Sequence, residues 1–97
     1  MTVSIVIFEA FKNDQHLGDF MDTLGSQTSS YHSYGDNVIF AAHEGSSRDL
    51  FDALKAATPG RNGGLVVIEA KDIQDSSWSV DGNTFDWLNE ALPNYKA

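Results

Sequence analysis

The chain has 97 residues with 14 Asp and Glu against 6 Lys and Arg, a formal charge of −8, and no cysteine. This length is typical of one domain, and a hydrophobic content of 41% is too high for a disordered chain. The lack of cysteine excludes disulfides, thiolate catalysis and cysteine-ligated zinc, and it is typical of a cytoplasmic protein. Apolar runs such as Ile5–Phe8 are too short to cross a membrane.

The negative charge lies at the two ends of the chain. Residues 1–36 carry −4, residues 37–68 carry 0 and residues 69–97 carry −4. Such a chain repels the phosphates of nucleic acid and of anionic membranes, because binding them requires clustered Lys and Arg. The charge therefore predicts either a basic partner or a surface that serves solubility alone.

The first two elements follow from the hydrophobic pattern. Val3 to Phe8 is almost wholly apolar, which predicts a strand buried on both faces. A helix is expected from Asp14 to Leu24, because its apolar residues are spaced i, i+3, i+4 and i+7. Gly25 is expected to end this helix.

Turn and capping signals divide the rest of the chain. Gly35-Asp36-Asn37 predicts the turn of a hairpin. Ser46-Ser47-Arg48-Asp49 has the pattern of a capping box, and Pro59-Gly60 is expected to end the helix that follows it. The remaining elements are expected as strands over 29–34, 38–42 and 65–70 and a last helix over 85–92.

This β-α-β-β-α-β order predicts a single α+β domain over residues 1–97 with a ferredoxin-like arrangement. Two helices would cover one face of a four-stranded antiparallel sheet, in which right-handed crossovers give the strand order 4-1-3-2. An extra C-terminal helix carries Trp87, which belongs to an aromatic cluster expected to cover part of the other face.

Ten of the 14 acids are Asp, and those at helix starts are explained by capping and by the helix dipole. Asp14, Asp49 and Asp86 are of this kind. Six others have no such explanation, and we expect them to bind a partner: Asp19, Asp22, Asp36, Asp72, Asp75 and Asp81.

The sequence predicts no cofactor, no metal site and no catalytic residue. The histidines His16, His32 and His43 lack the spacing of metal ligands, and no nucleophile motif is present. Glu9 closes the first strand, where a carboxylate could bind a divalent ion or act as a base. The alternative is an ordinary strand-end acid partnered by Lys12.

Several short segments resemble the SinR-like proteins, relatives of the ferredoxin-fold nuclease subunit of CRISPR adaptation. They are Val6-Ile7-Phe8-Glu9-Ala10, Tyr31-His32-Ser33-Tyr34, Ser46 to Leu54, Gly64-Leu65-Val66-Val67-Ile68-Glu69 and Trp78…Phe85-Asp86-Trp87-Leu88-Asn89. The resemblance implies a metal-dependent nuclease, or a degenerate homologue of one, with Glu9 as metal ligand. That family's nucleases end the first strand in Tyr-Asp, whereas this chain has Phe8-Glu9, so nuclease activity is the second hypothesis.

By size and charge the chain also resembles phage-encoded DNA mimics, including anti-CRISPR proteins. This resemblance implies a non-enzymatic inhibitor that occupies the basic nucleic-acid groove of its partner, most specifically a CRISPR surveillance complex in the bacterial cytoplasm. It would bind neither nucleic acid nor membrane itself. A third hypothesis is an antitoxin-like or dimeric scaffold that pairs through its edge strands.

Overall fold

The computed structural model describes residues 1–58, 63–70, 78–80 and 82–92. In chain order, the elements are β1 (Thr2–Phe8), α1 (Asp14–Gln27), β2 (Ser30–Tyr34), β3 (Val38–His43), α2 (Ser47–Ala57), β4 (Leu65–Glu69) and α3 (Gly82–Ala91). This is the β-α-β-β-α-β order with an added helix that the sequence predicts.

The strands form one antiparallel sheet in the order β2-β3-β1-β4. Read from the other edge, the order is β4-β1-β3-β2, which is the order that right-handed crossovers predict. The register places Ile5 opposite Phe40, and Phe40 opposite His32, so these three residues share one face. The architecture is a small α+β domain that is consistent with a ferredoxin-like fold.

The inner face of the sheet is covered by α1 and α2. The two helices pack against each other, and their apolar residues form one core with the inward residues of β1 and β3. Burying each large apolar side chain contributes about 1.5–3 kcal/mol relative to leaving it exposed. The buried core cluster consists of Val6, Phe8, Phe20, Leu24, Ile39, Ala41, Leu50 and Leu54.

The outer face is only partly covered, and this corrects the prediction that β1 is buried on both sides. Ser4, Val6 and Phe8 are buried on the inner face, whereas Ile7 is 40% exposed on the outer face. An apolar run does not distinguish a two-sided from a one-sided strand, because in a two-layer domain only one face of the sheet meets the helices.

Part of the outer face is covered by α3, as the aromatic cluster predicts. The Trp87 indole stacks on the rings of His32 and Phe40, with ring centroids 6.4 and 6.3 Å away. Its Nε1 donates a hydrogen bond of 2.7 Å to Ser30 Oγ. These contacts fix α3 over β2 and β3.

The helix boundaries differ from the sequence pattern in two places. Gly25 does not end α1, which continues to Gln27 because Gly25 keeps an ordinary helical backbone rather than a positive φ. The C-cap is Thr28, whose Oγ1 donates to the carbonyl of Leu24 at 2.8 Å. The last helix begins at Gly82, three residues earlier than expected.

The second helix begins as predicted. Ser46 is its N-cap, and Ser46 and Asp49 bond reciprocally in a capping box. The helix ends at Ala57, and Pro59-Gly60 lies outside the described residues.

Candidate functional site

Two of the six predicted contact acids lie side by side on the outer surface of α1. Asp19 and Asp22 are both exposed, on the side of the helix opposite the buried Phe20 and Leu24. Residues three apart are neighbours on a helix surface, about 5–6 Å between Cβ atoms. Neither aspartate makes an ion pair with a described residue. Two like charges therefore stand together without a countercharge in the described part of the chain.

A third acid, Asp36, lies at the tip of the β2–β3 hairpin. The turn is predicted correctly, and Gly35 supplies the positive φ of 69° that it requires. Asn37 holds the turn to the end of β1, because its Nδ2 donates to the Phe8 carbonyl at 2.8 Å and its carbonyl accepts from the Phe8 N–H at 3.0 Å. Asp36 is exposed at this end of the sheet, the end at which α1 begins.

Asp72, Asp75 and Asp81 lie outside the described residues. The predicted contact set is therefore described only for Asp19, Asp22 and Asp36. Of these, the structure brings Asp19 and Asp22 together and places Asp36 at the hairpin end.

The acids assigned to helix caps are only partly explained by capping. Asn13, not Asp14, caps α1, since its Oδ1 accepts from the His16 N–H at 2.9 Å, and Asp14 lies in the first turn. Asp86 is expected at a helix start but lies beyond the first turn of α3, because that helix begins at Gly82. Asp49 is a true capping residue. Its carboxylate accepts a hydrogen bond from the Ser46 backbone N–H, and a further bond with the Ser46 side chain adds to this, so the pKa of Asp49 is lowered from its ordinary 3.8.

The surface of the described residues is strongly acidic. They carry eleven Asp and Glu against three Lys and Arg, and every one of these acids except Glu69 is exposed. Arg48, one of these three basic residues, forms an ion pair with Asp52 on the surface of α2, with its Nε 3.2 Å from Oδ1. The negative field is therefore a property of the folded surface and not only of the composition.

Glu9 has a structural role in this fold. Its carboxylate accepts a hydrogen bond from the Gly64 N–H, and its own N–H donates to the Gly64 carbonyl at 3.1 Å. These bonds extend the β1–β4 pairing past the end of the strands. Among the described residues, no group of three or more His, Asp or Glu side chains is placed to hold a metal ion.

The structure also contains a buried polar cluster that the sequence does not predict. Ser4 Oγ lies 2.7 Å from His43 Nε2 and 2.6 Å from Ser47 Oγ. The Nδ1 of His43 lies 2.9 Å from the Glu44 carbonyl. Ser4 is fully buried and His43 is 1% exposed, whereas Ser47 is half-buried at the start of α2.

The direction of one of these hydrogen bonds follows from the carbonyl, which can only accept. His43 must donate from Nδ1 to Glu44, and its Nε2 shares a hydrogen bond with the Ser4 hydroxyl. Ser4 Oγ is also hydrogen-bonded to Ser47 Oγ. The chain of hydroxyls satisfies a buried imidazole and ties β1, β3 and α2 together.

The partners in this cluster are about forty residues apart, which is why no local pattern reveals them. One signal was available in the sequence: Ser4 is a polar residue at an inward position of an apolar strand, in phase with Val6 and Phe8. A buried hydroxyl at such a position requires a partner.

No protein-family model matches the chain, and neither does any curated protein or solved structure. Within the described residues, none of the helices has the length and apolar character needed to span a membrane.

Proposed function

We propose that this protein is a non-enzymatic, acidic interaction module that occupies the nucleic-acid-binding groove of a basic partner in place of DNA. The observation that carries the proposal is the pair Asp19 and Asp22, exposed side by side on α1 with no countercharge among the described residues. Paired carboxylates on a rigid element imitate the feature of DNA that basic grooves recognise, which is a row of fixed negative charges.

The energetics favour such a role for α1. Like charges at neighbouring helix positions destabilise an isolated helix by about 0.2–0.5 kcal/mol per pair. An arginine or lysine of a partner removes this repulsion and adds a charge-assisted hydrogen bond, which is bidentate when the donor is arginine. Both carboxylates are mounted on a helix anchored by the buried Phe20 and Leu24, so little backbone order has to be gained on binding.

The most specific form of the proposal is a phage anti-CRISPR protein of ferredoxin-like fold that blocks DNA binding by a CRISPR surveillance complex. Asp36 extends the contact surface to the hairpin end of the domain, and Asp72, Asp75 and Asp81 complete the proposed set. An elongated distribution of acids suits a long basic channel better than a compact pocket.

The test is a competition between the protein and a target DNA duplex for a purified, DNA-free surveillance complex. The test variant is the triple substitution Asp19→Asn, Asp22→Asn and Asp36→Asn. A matched control with the same change in net charge replaces three exposed acids outside the set, by Glu44→Gln, Asp52→Asn and Asp86→Asn. If each lost pair costs about 0.5–1 kcal/mol, the test variant inhibits about 10- to 150-fold more weakly than the wild type.

The control distinguishes a specific surface from a general effect of charge. The proposal predicts that the control variant keeps most of the inhibition. Equal loss in both variants, or no inhibition by the wild type, contradicts it. Degradation of the DNA that requires a divalent ion and disappears in Glu9→Gln would support the nuclease hypothesis instead.

A further inference from the structure

A cavity of about 350 Å³ lies between α3 and the outer face of the sheet. Its floor is the cross-strand row Val3, Ala42 and Ser30, in which two of the three residues are small. Trp87 and Glu90 line it from α3. A volume of this size lies at the lower end of the range for small-molecule sites, about 300–1,000 Å³.

The aromatic wall of this cavity is rigidly held. Trp87 is fixed by the hydrogen bond from its Nε1 to Ser30 and by stacking on His32 and Phe40. The cavity therefore does not close by rotation of the indole without breaking three contacts. A site that is formed in advance loses little free energy to reorganisation when a ligand enters.

Two carboxylates on one side of α3 outnumber the positive group of the cavity lining, which is the N-terminal ammonium of Met1. Glu90 is exposed and makes no ion pair with any described residue, and Asp86 precedes it by one turn on the same side of α3. The lysine and arginine side chains of the described residues, Lys12, Arg48 and Lys55, all belong to the layer on the inner side of the sheet or to the loop that leads into it. An apolar, aromatic wall beside a carboxylate is the combination that favours an organic cation.

We propose that this cavity binds an alkylguanidinium or alkylammonium group, with the alkyl stem against Trp87, Val3 and Ala42 and the charge against Glu90. The source of the group is either a free amine or the side chain of a basic protein. The cavity lies at the end of the sheet opposite Asp36 and on the face opposite α1, so it is separate from Asp19, Asp22 and Asp36, the three described acids of the contact set.

The test uses butylguanidinium as the probe and butylurea, which is nearly isosteric but uncharged, as its control. All proteins carry Trp78→Phe, so that Trp87 is the only tryptophan that remains of the two in the chain. Binding is followed by the NMR shift of the Trp87 indole N–H during titration. N-acetylarginine amide is titrated in parallel, because it represents the side chain of a protein partner.

Three variants make the result specific. Glu90→Gln should weaken butylguanidinium binding about two- to fivefold, as expected for one exposed charge pair. Ala42→Leu fills the floor and should abolish the saturable shift. Asp36→Asn removes the same charge as Glu90→Gln at a distant position and should leave the dissociation constant unchanged.

The proposal is supported if butylguanidinium gives a saturable shift that butylurea does not give and that Glu90→Gln weakens. If N-acetylarginine amide also binds, the site is assigned to the side chain of a basic protein. If only butylguanidinium binds, the site is assigned to small organic cations. Equal binding of butylurea, no saturable shift, or an unchanged constant in Glu90→Gln overturns the proposal. If the protein does not compete with DNA but still gives the saturable shift, the function proposed above fails and the proposal for this cavity stands.

Discussion

Removing the hydroxyl at the centre of the buried cluster tests how the inner layers are held together. Ser4→Ala leaves the Nε2 of His43 without its hydrogen-bond partner in a position where the residue is 1% exposed. Ser47 loses its partner in the same step. Leaving a buried polar group unsatisfied costs about 1–3 kcal/mol, and water cannot replace the hydroxyl without entering the core. We expect the free energy of unfolding to fall by that amount.

The measurement is urea unfolding at neutral pH, followed by circular dichroism, with the midpoint and slope compared between variants. A loss of 1 kcal/mol corresponds to about 4–8 °C in Tm for a domain of this size. Ser33→Ala, at an exposed position on β2, is the matched control and should change stability by less than about 0.5 kcal/mol. If Ser4→Ala is no more destabilising than Ser33→Ala, the hydrogen-bonded cluster does not stabilise the fold as argued.

Three further predictions concern α1 and the start of α2. Gly18→Ala should stabilise the protein by about 0.5–1 kcal/mol, because a Cβ at this position meets nothing within 4 Å and alanine is the better helix former. Gly45→Ala should destabilise the protein in the same thermal or urea assay, since Gly45 has a φ of 78° and an added Cβ would lie 2.9 Å from Asp49 Oδ2. If Gly18→Ala and Gly45→Ala change the stability equally, the two glycines do not differ in environment as argued. The pKa of Asp49 is lowered in the folded state, so its ionised carboxylate stabilises the fold. This stabilisation is fully present when the pH is above the pKa of the unfolded state, and it is lost as the pH falls through the pKa of the folded state. Asp49→Asn should therefore destabilise the protein at pH 7, with a difference from the wild type that shrinks below the ordinary pKa of 3.8; a difference independent of pH would contradict the carboxylate's role.

The parts of the fold that the sequence predicts depend on local patterns. The apolar stripe of α1 and the capping box of α2 act within a few residues, so they identify both helices and the first residue of each correctly. The turn at Gly35 fixes the register of the hairpin. Together with the handedness of crossovers, these signals are sufficient for the strand order.

The parts that the sequence does not predict depend on contacts between distant segments. Whether Ile7 is buried depends on what covers the outer face, which the apolar run of β1 does not specify. Gly25 is compatible with both a helix interior and a helix end, and the bond from Thr28 to Leu24 decides between them. The link between Ser4 and His43 requires the pairing of β1 with β3 to be known first.

The sequence predicts the contact acids by excluding those at helix starts, and the structure adds the placement of Asp19, Asp22 and Asp36. The sequence identifies Asp19 and Asp22 as acids that capping does not explain, and the structure shows both exposed on one side of α1. Their pairing follows from a spacing of three residues on a helix. The absence of a described countercharge could not be predicted, because it depends on where Lys12, Arg48 and Lys55 lie in space.

The most direct test of the central proposal is the affinity of the protein for a DNA-free surveillance complex, measured at low and at high salt by surface plasmon resonance. The proposal predicts measurable binding that weakens steeply as salt rises, with a smaller salt dependence when Asp19 and Asp22 are replaced by Asn. Binding that does not change with salt, or that the two substitutions leave unaltered in strength and salt dependence, would contradict it.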